Sequence, residues 1–322
     1  MASTRPKVTK VAKNSEALCR PERRREAPKS KDLATGIEPA PFILLHGFAQ
    51  TPASWDAVAQ CLQEAGHRTF VPDLFAWLEA GCTLGDACKR IASIVRQVAG
   101  VEGAPVLAGY SMGGRLAAET VVRYGIAPEQ LPIPSRGPKE SFSPCHPERI
   151  AQREGEESAD GPLPLAGLVL ESAGLGPADE GARTALAERN TAWAARLRSE
   201  GVTPFMDWWE TLPLFATQCE LPEVIRAAIR AEREAHSAEA LARSFQLWGA
   251  QHQAPEPDTL VTLAQAHAQG LPMLYIAGER DQKYVAVAAR AQAAGIPIAL
   301  IPDAGHNSHL EQPDAFLAHL CK

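Results

Sequence analysis

No stretch of the 322 residues approaches the roughly 18–20 consecutive apolar residues of a membrane-crossing helix, which excludes a spanning segment. Aromatic residues are scarce at 6 %, while alanine is abundant, a balance that favours a helix-rich soluble enzyme over an all-β protein. The seven cysteines are scattered and odd in number, and no C-x-x-C pair or ligand-like histidine cluster accompanies them. A disulfide framework and a zinc site are thereby excluded, and reduced thiols in the cytoplasm are expected. Acid is nearly missing from the first 31 residues, which carry +7 within a chain of net charge −6 and leave −13 for the rest. That segment has no apolar core, so it is not a secretory signal. A basic, acid-poor leader is compatible with an organelle address, but its prolines and lysines favour a disordered tail over residues 1–38. Nothing aromatic or periodic in it supports nucleic-acid binding.

What is present is an alternation of buried strands and helices. Phe42-Ile43-Leu44-Leu45 is a continuous apolar run of the kind found in parallel strands, and Thr69 to Asp73 reads as the next. Pro105 to Ala108, Leu165 to Glu171, Met273 to Ala277 and Ile298 to Pro302 complete the set. Helices are expected over Trp55–Ala65, Leu84–Val98, Arg115–Tyr124 and Pro313–Leu320. This order gives an α/β fold with a mostly parallel, doubly wound sheet. Two stretches break it. Residues 131–164 are rich in Pro, Ser, Gly, Glu and Arg and read as an exposed, mobile insertion. Residues 176–258 are helical in composition and read as a cap inserted between core segments 39–175 and 259–322. The cap's aromatics, Trp193, Phe205, Trp208, Trp209 and Phe215, are either its own small core or a wall facing a substrate.

Four strings carry the chemistry: Leu45-His46-Gly47-Phe48, Gly109-Tyr110-Ser111-Met112-Gly113, Gly278-Glu279-Arg280-Asp281 and Gly305-His306-Asn307. The second fits the nucleophile elbow G-x-S-x-G, with a strand before it and a helix after it. Glycine is needed on both sides of the serine because the turn is tight and the helix packs close behind it. A serine hydroxyl is a poor nucleophile unless an imidazole shares its proton. His306 is the best placed of nine histidines to do so, and Asp281 would fix its tautomer. Asp281 alone would more often be a loop or helix-cap residue; its place in the order Ser, Asp, His gives it the catalytic reading. Backbone N–H groups of Phe48 and Met112 are the expected oxyanion hole, and His46 a structural residue of that loop. This set is that of an α/β-hydrolase fold. Arg115, one helical turn beyond Ser111, is the informative extra: it suits a carboxylate substrate, unless it pairs with Glu119.

The chain also resembles one family closely, the 2-succinyl-6-hydroxy-2,4-cyclohexadiene-1-carboxylate synthases of menaquinone biosynthesis. The matching strings are Leu-His-Gly-Phe at 45–48 with Trp55, Gly-Tyr-Ser-Met-Gly-Gly-Arg at 109–115 and Phe-Met-Asp-Trp at 205–208. Gly-Glu-Arg-Asp-Gln-Lys-Tyr at 278–284 and Ala-Gly-His-Asn-Ser-His at 304–309 complete them. The resemblance implies a cytoplasmic lyase without cofactor or metal, in which Ser111, His306 and Asp281 move a proton and pyruvate is eliminated. It implies a small polycarboxylate substrate, with Arg115 and Arg233 as cationic partners and Tyr110 and Trp208 lining the pocket. A third basic position falls on Leu186, with Arg183 and Arg189 three residues to either side. After Asp73 the chain reads Leu-Phe-Ala-Trp where the family has a glycine-rich turn. The alternative reading is a serine hydrolase of esters or carbon–carbon bonds in small carboxylated substrates; a binding protein without activity would not need an activated serine.

Overall fold

The computed structural model describes residues 39–127 and 161–320. The expected tail, 1–38, and residues 131–160 of the expected insertion lie outside them. Six parallel strands form one sheet in the order β2-β1-β3-β4-β5-β6. These are β1 (Phe42–Leu45), β2 (Thr69–Phe70), β3 (Val106–Tyr110), β4 (Gly167–Glu171), β5 (Met273–Gly278) and β6 (Ile298–Ile301). β1 and β4 are buried at every position, the signature of strands covered on both faces. The order reverses at the start of the chain, with β1 between β2 and β3, so strands after β3 build outward on the other side.

Helices cover both faces. α1 (Asp56–Glu64) and α12 (Pro313–Leu320) flank a cluster of Trp55, Leu62, Leu44, Ile276 and Phe316, while α3 (Leu84–Glu102) and α4 (Met112–Tyr124) enclose the larger one. α3 starts where Thr83 and Asp86 form a reciprocal capping box and stops at Gly103, whose φ of 91° suits glycine. The core is completed by α9 (Glu256–Ala268), α10 (Gln282–Ala293) and the short α11 (Ser308–Glu311). Between β4 and α9 lie α5 (Glu180–Glu200), α6 (Val202–Trp209), a 3-10 helix Pro213–Glu220, α7 (Glu223–Glu234) and α8 (Ala238–Leu247). No helix among the described residues is long and apolar enough to cross a membrane.

Several boundaries differ from expectation for local reasons. β2 ends at Phe70 because Asp73 turns the chain into α2 (Leu74–Glu79), its carboxylate accepting the N–H groups of Phe75 and Ala76. The Leu-Phe-Ala-Trp string is therefore a helix, with Leu74, Phe75 and Leu78 buried. The expected insertion does not run to 164. Leu163 is fully buried and bridges Ile126, returning the chain to the core before β4. The helical insert likewise closes earlier than 258: Glu256 begins α9 and its N–H donates to Pro177 O at 2.8 Å, so both necks meet there.

Candidate active site

Ser111 sits at the joint of β3 and α4 with φ 50° and ψ −104°, a left-handed backbone that side chains rarely adopt. Its N–H is held by Glu171 O at 2.8 Å. The flanking glycines are steric requirements: a Cβ on Gly113 would lie 2.1 Å from Leu45 O, and one on Gly109 would lie 2.5 Å from the Gly113 backbone. A serine before a helix usually caps it with its own oxygen, but Ser111 makes no such bond. Its Oγ lies 3.0 Å from His306 Nε2 instead, and His306 Nδ1 lies 2.8 Å from Asp281 Oδ2. Asp281 and His306 are 7 % and 2 % exposed, so the carboxylate–imidazole pair is shielded from water, while Ser111 is half-buried.

Asp281 is placed where both readings from the sequence put it, beside His306 and at the start of a helix. One oxygen faces His306, and the other caps α10 by accepting Tyr284 N–H at 3.3 Å. The loops carrying the two residues are in contact: Arg280 N–H donates to Ala304 O at 2.9 Å, and no side chain fits on Gly278 against Gly305 O. Around the imidazole stand the rings of Tyr284 at 4.7 Å, Tyr110 at 5.2 Å and Phe215 at 6.1 Å. Tyr110 is buried, and burial raises its hydroxyl pKa well above the ordinary value, so it stays a neutral wall.

Met112 is the first residue of α4, where a backbone N–H has no intrahelical acceptor. Among the described residues neither its N–H nor that of Phe48 donates to a protein group. The Phe48 loop is held by His46, whose Nδ1 meets Gly47 O and whose Nε2 accepts Leu74 N–H, each at 3.1 Å. Burial lowers the His46 pKa to about 4, so it is neutral near pH 7. The Phe48 ring contacts Trp209 at 5.0 Å and Phe245 at 4.7 Å.

The arginines part company. Arg115 does not pair with Glu119, which binds Arg123 at 2.9 Å and accepts Ala254 N–H at 3.0 Å. It is half-buried, donates through Nη1 to Trp248 O at 2.6 Å, and has no carboxylate partner among the described residues. Burial lowers its pKa to about 10, still cationic at neutral pH. Arg189 stacks over Trp193 at 4.4 Å and, among the described residues, bonds to Asn190 Oδ1. Burial lowers its pKa too, and its positive charge adds a smaller downward push on Arg115. Arg183, by contrast, is spent on the carbonyls of Gln251 and Gln253 and on Glu180. Arg233 packs over Phe215 at 5.0 Å, but its guanidinium is committed to Glu210 and Gln218. Trp208 lies one ring further out than expected, against Trp193 and Phe205 with Arg196 over it; Trp209 reaches the Phe48 loop. The insert's aromatics thus form a core of their own and also present Phe215 to His306.

Sequence reasoning missed Tyr284 and the buried Glu171–His309 pair, 2.6 Å apart. Glu171 had a signal, a lone carboxylate ending an apolar strand, and Tyr284 stood in a quoted string.

A model of the alpha/beta hydrolase family matches residues 42–319. A 2-succinyl-6-hydroxy-2,4-cyclohexadiene-1-carboxylate synthase of Serratia proteamaculans is 27 % identical over 294 residues, covering 90 % of this chain and 96 % of that protein. The one from Enterobacter sp. is 33 % identical over 216 residues, covering 67 % and 74 %. The solved structure of MenH from S. aureus superposes with a TM-score of 0.64 at 23 % identity, covering 87 % of this chain and 91 % of that one. The chain belongs to the alpha/beta hydrolase family and, within it, to the 2-succinyl-6-hydroxy-2,4-cyclohexadiene-1-carboxylate synthases.

Proposed function

We propose that this enzyme eliminates pyruvate from 2-succinyl-5-enolpyruvyl-6-hydroxy-3-cyclohexene-1-carboxylate, a step of menaquinone biosynthesis, with Ser111, His306 and Asp281 as the proton-transfer set. The relatives' names supply the product, and the chemistry follows from it. The ring hydrogen on C2 is alpha to the succinyl ketone and is therefore acidic. Ser111 Oγ takes that proton as its own passes to His306, and Asp281 stabilises the imidazolium. Negative charge moves to the ketone oxygen, where the N–H groups of Phe48 and Met112 would bind it. The ring double bond shifts, the C5–O bond breaks, and the enolpyruvyl group leaves to become pyruvate on gaining a proton.

The observation that carries this reading is Arg115. A half-buried guanidinium one helical turn from Ser111, without a carboxylate partner among the described residues, is costly unless the ligand brings negative charge. A polycarboxylate brings several; a simple ester brings none. The completeness of the Ser111–His306–Asp281 chain equally favours a second reading, hydrolysis through an acyl-enzyme.

Pyruvate release from that substrate, followed with the purified protein, tests the proposal. Ser111→Ala should lower kcat by at least ~10²-fold with the fold intact. Near-normal turnover in this variant would remove Ser111 from the mechanism. An acyl-enzyme found by mass spectrometry during turnover would move the assignment to the hydrolase.

A further inference from the structure

Glu171 is the last residue of β4, between the strand that carries Ser111 and the strand that leads to Asp281. Its carboxylate is 1 % exposed and no Lys or Arg pairs with it among the described residues. Such a group persists only if hydrogen bonds satisfy it. Its partners all come from one place: Oε1 accepts Ser308 Oγ at 2.7 Å and His309 N–H at 3.0 Å, and Oε2 meets His309 Nδ1 at 2.6 Å. Those residues follow directly on His306 and Asn307. The same Glu171 accepts the Ser111 N–H through its main-chain oxygen. One residue therefore grips the serine elbow with its backbone and the histidine loop with its side chain.

His309 extends the grip. Its ring stacks on Trp55 at 4.1 Å and meets the edge of Tyr110, the residue before Ser111, at 5.2 Å. Its Nε2 is buried without a protein partner. The ring contributes position and makes no contact with the Ser111 hydroxyl.

We propose that Glu171, through Ser308 and His309, is a positioning residue that sets the 3.0 Å approach of His306 Nε2 to Ser111 Oγ. The inference rests on the proposed role of Ser111 and His306 but not on the identity of the substrate. Glu171 acts by geometry, not charge, so glutamine should replace it: the amide oxygen keeps the two Oε1 bonds. The amide N–H then donates to His309 Nδ1 once the ring takes its other tautomer, which the unpartnered Nε2 permits.

Phosphonylation of Ser111 by an alkyl fluorophosphonate reads this geometry without assuming a substrate. The Oγ–P bond forms, P–F breaks, fluoride leaves and the hydroxyl proton passes to His306. Rates are taken per mole of folded protein, well below the melting temperature. Glu171→Ala should lower the maximal rate roughly 10- to 100-fold, the scale of an ångström misplacement, with the apparent affinity for the reagent unchanged. Glu171→Gln should recover most of it. If Glu171→Ala does not fold, Ser308→Ala, which removes a single tie, should still show a several-fold loss. Wild-type rates in folded Glu171→Ala or Ser308→Ala overturn the proposal. Equal losses in the alanine and glutamine variants overturn it too, since charge would then be acting. A wild-type Ser111 that does not react in folded protein overturns the reading of the site and this inference with it.

Discussion

Under the proposed function, Arg115 is the residue on which substrate class turns. Its one protein acceptor among the described residues is a carbonyl at the end of α8, which orients the guanidinium and leaves most of its donors for a ligand under the proposed function. If those donors bind a carboxylate, Arg115→Ala should cost ~1.5–3 kcal/mol of transition-state binding, or roughly 10–150-fold in kcat/KM on the polycarboxylate. Arg115→Lys should recover only part, because a point charge cannot reproduce a two-pronged bond. Activity on a small neutral ester, where any exists, should not move. Equal losses on both substrates would make Arg115 structural. Arg189→Ala should follow Arg115 in direction, whereas Arg183→Ala should act through stability, since Arg183 ties α5 to the loop before α9.

Among the elements, the carboxyl edge of the sheet is where strain collects. Ser111 at the end of β3 and Ser172 at the end of β4 both have positive φ, 50° and 47°. The first is explained by the elbow, which turns the hydroxyl toward His306. The second has a buried Oγ without a partner and no visible use. A side chain in this backbone region costs about 1–2 kcal/mol, while glycine there loses part of that gain in unfolded-chain entropy. Ser172→Gly should therefore raise the melting temperature by about 2–4 °C, measured calorimetrically, with activity retained. A fall in melting temperature would mean that the hydroxyl is bonded in solution.

At the scale of the molecule, buried histidine links folding to pH. The folded-state pKa of His46 is lowered to about 4 from an ordinary value of 6.5. The unfolded chain therefore binds a proton more readily. The stability His46 contributes is complete above pH 6.5 and is lost as the pH falls toward 4, up to about 3 kcal/mol. His236, also lowered by burial, has the same sign; Glu311, raised by burial, has the opposite one. Denaturant unfolding of wild type and His46→Gln between pH 4 and 7 separates the parts. The wild type should lose stability faster than the variant on acidification, and parallel curves would show that His46 ionises freely when folded.

The sequence by itself determined all six strands, the insert of helices between β4 and α9, and the order and loops of Ser111, Asp281 and His306. It could do so because each depends on the chain nearby: apolar runs make buried strands, and glycines at the elbow admit the turn. The same locality explains its errors. Where β2 stops depended on Asp73 capping a helix, and where the insertion ends depended on Leu163 finding Ile126 across the fold. Only the tertiary structure decided the fate of the cations. Arg183 and Arg189 are six residues apart, about 120° around one helix, so one meets backbone carbonyls and the other stacks over Trp193. Likewise, whether Arg115 pairs with Glu119 was settled by Arg123 and Ala254 reaching that carboxylate first. Charge partners are chosen by side chains that meet from distant parts of the chain, and spacing along the sequence does not record those meetings.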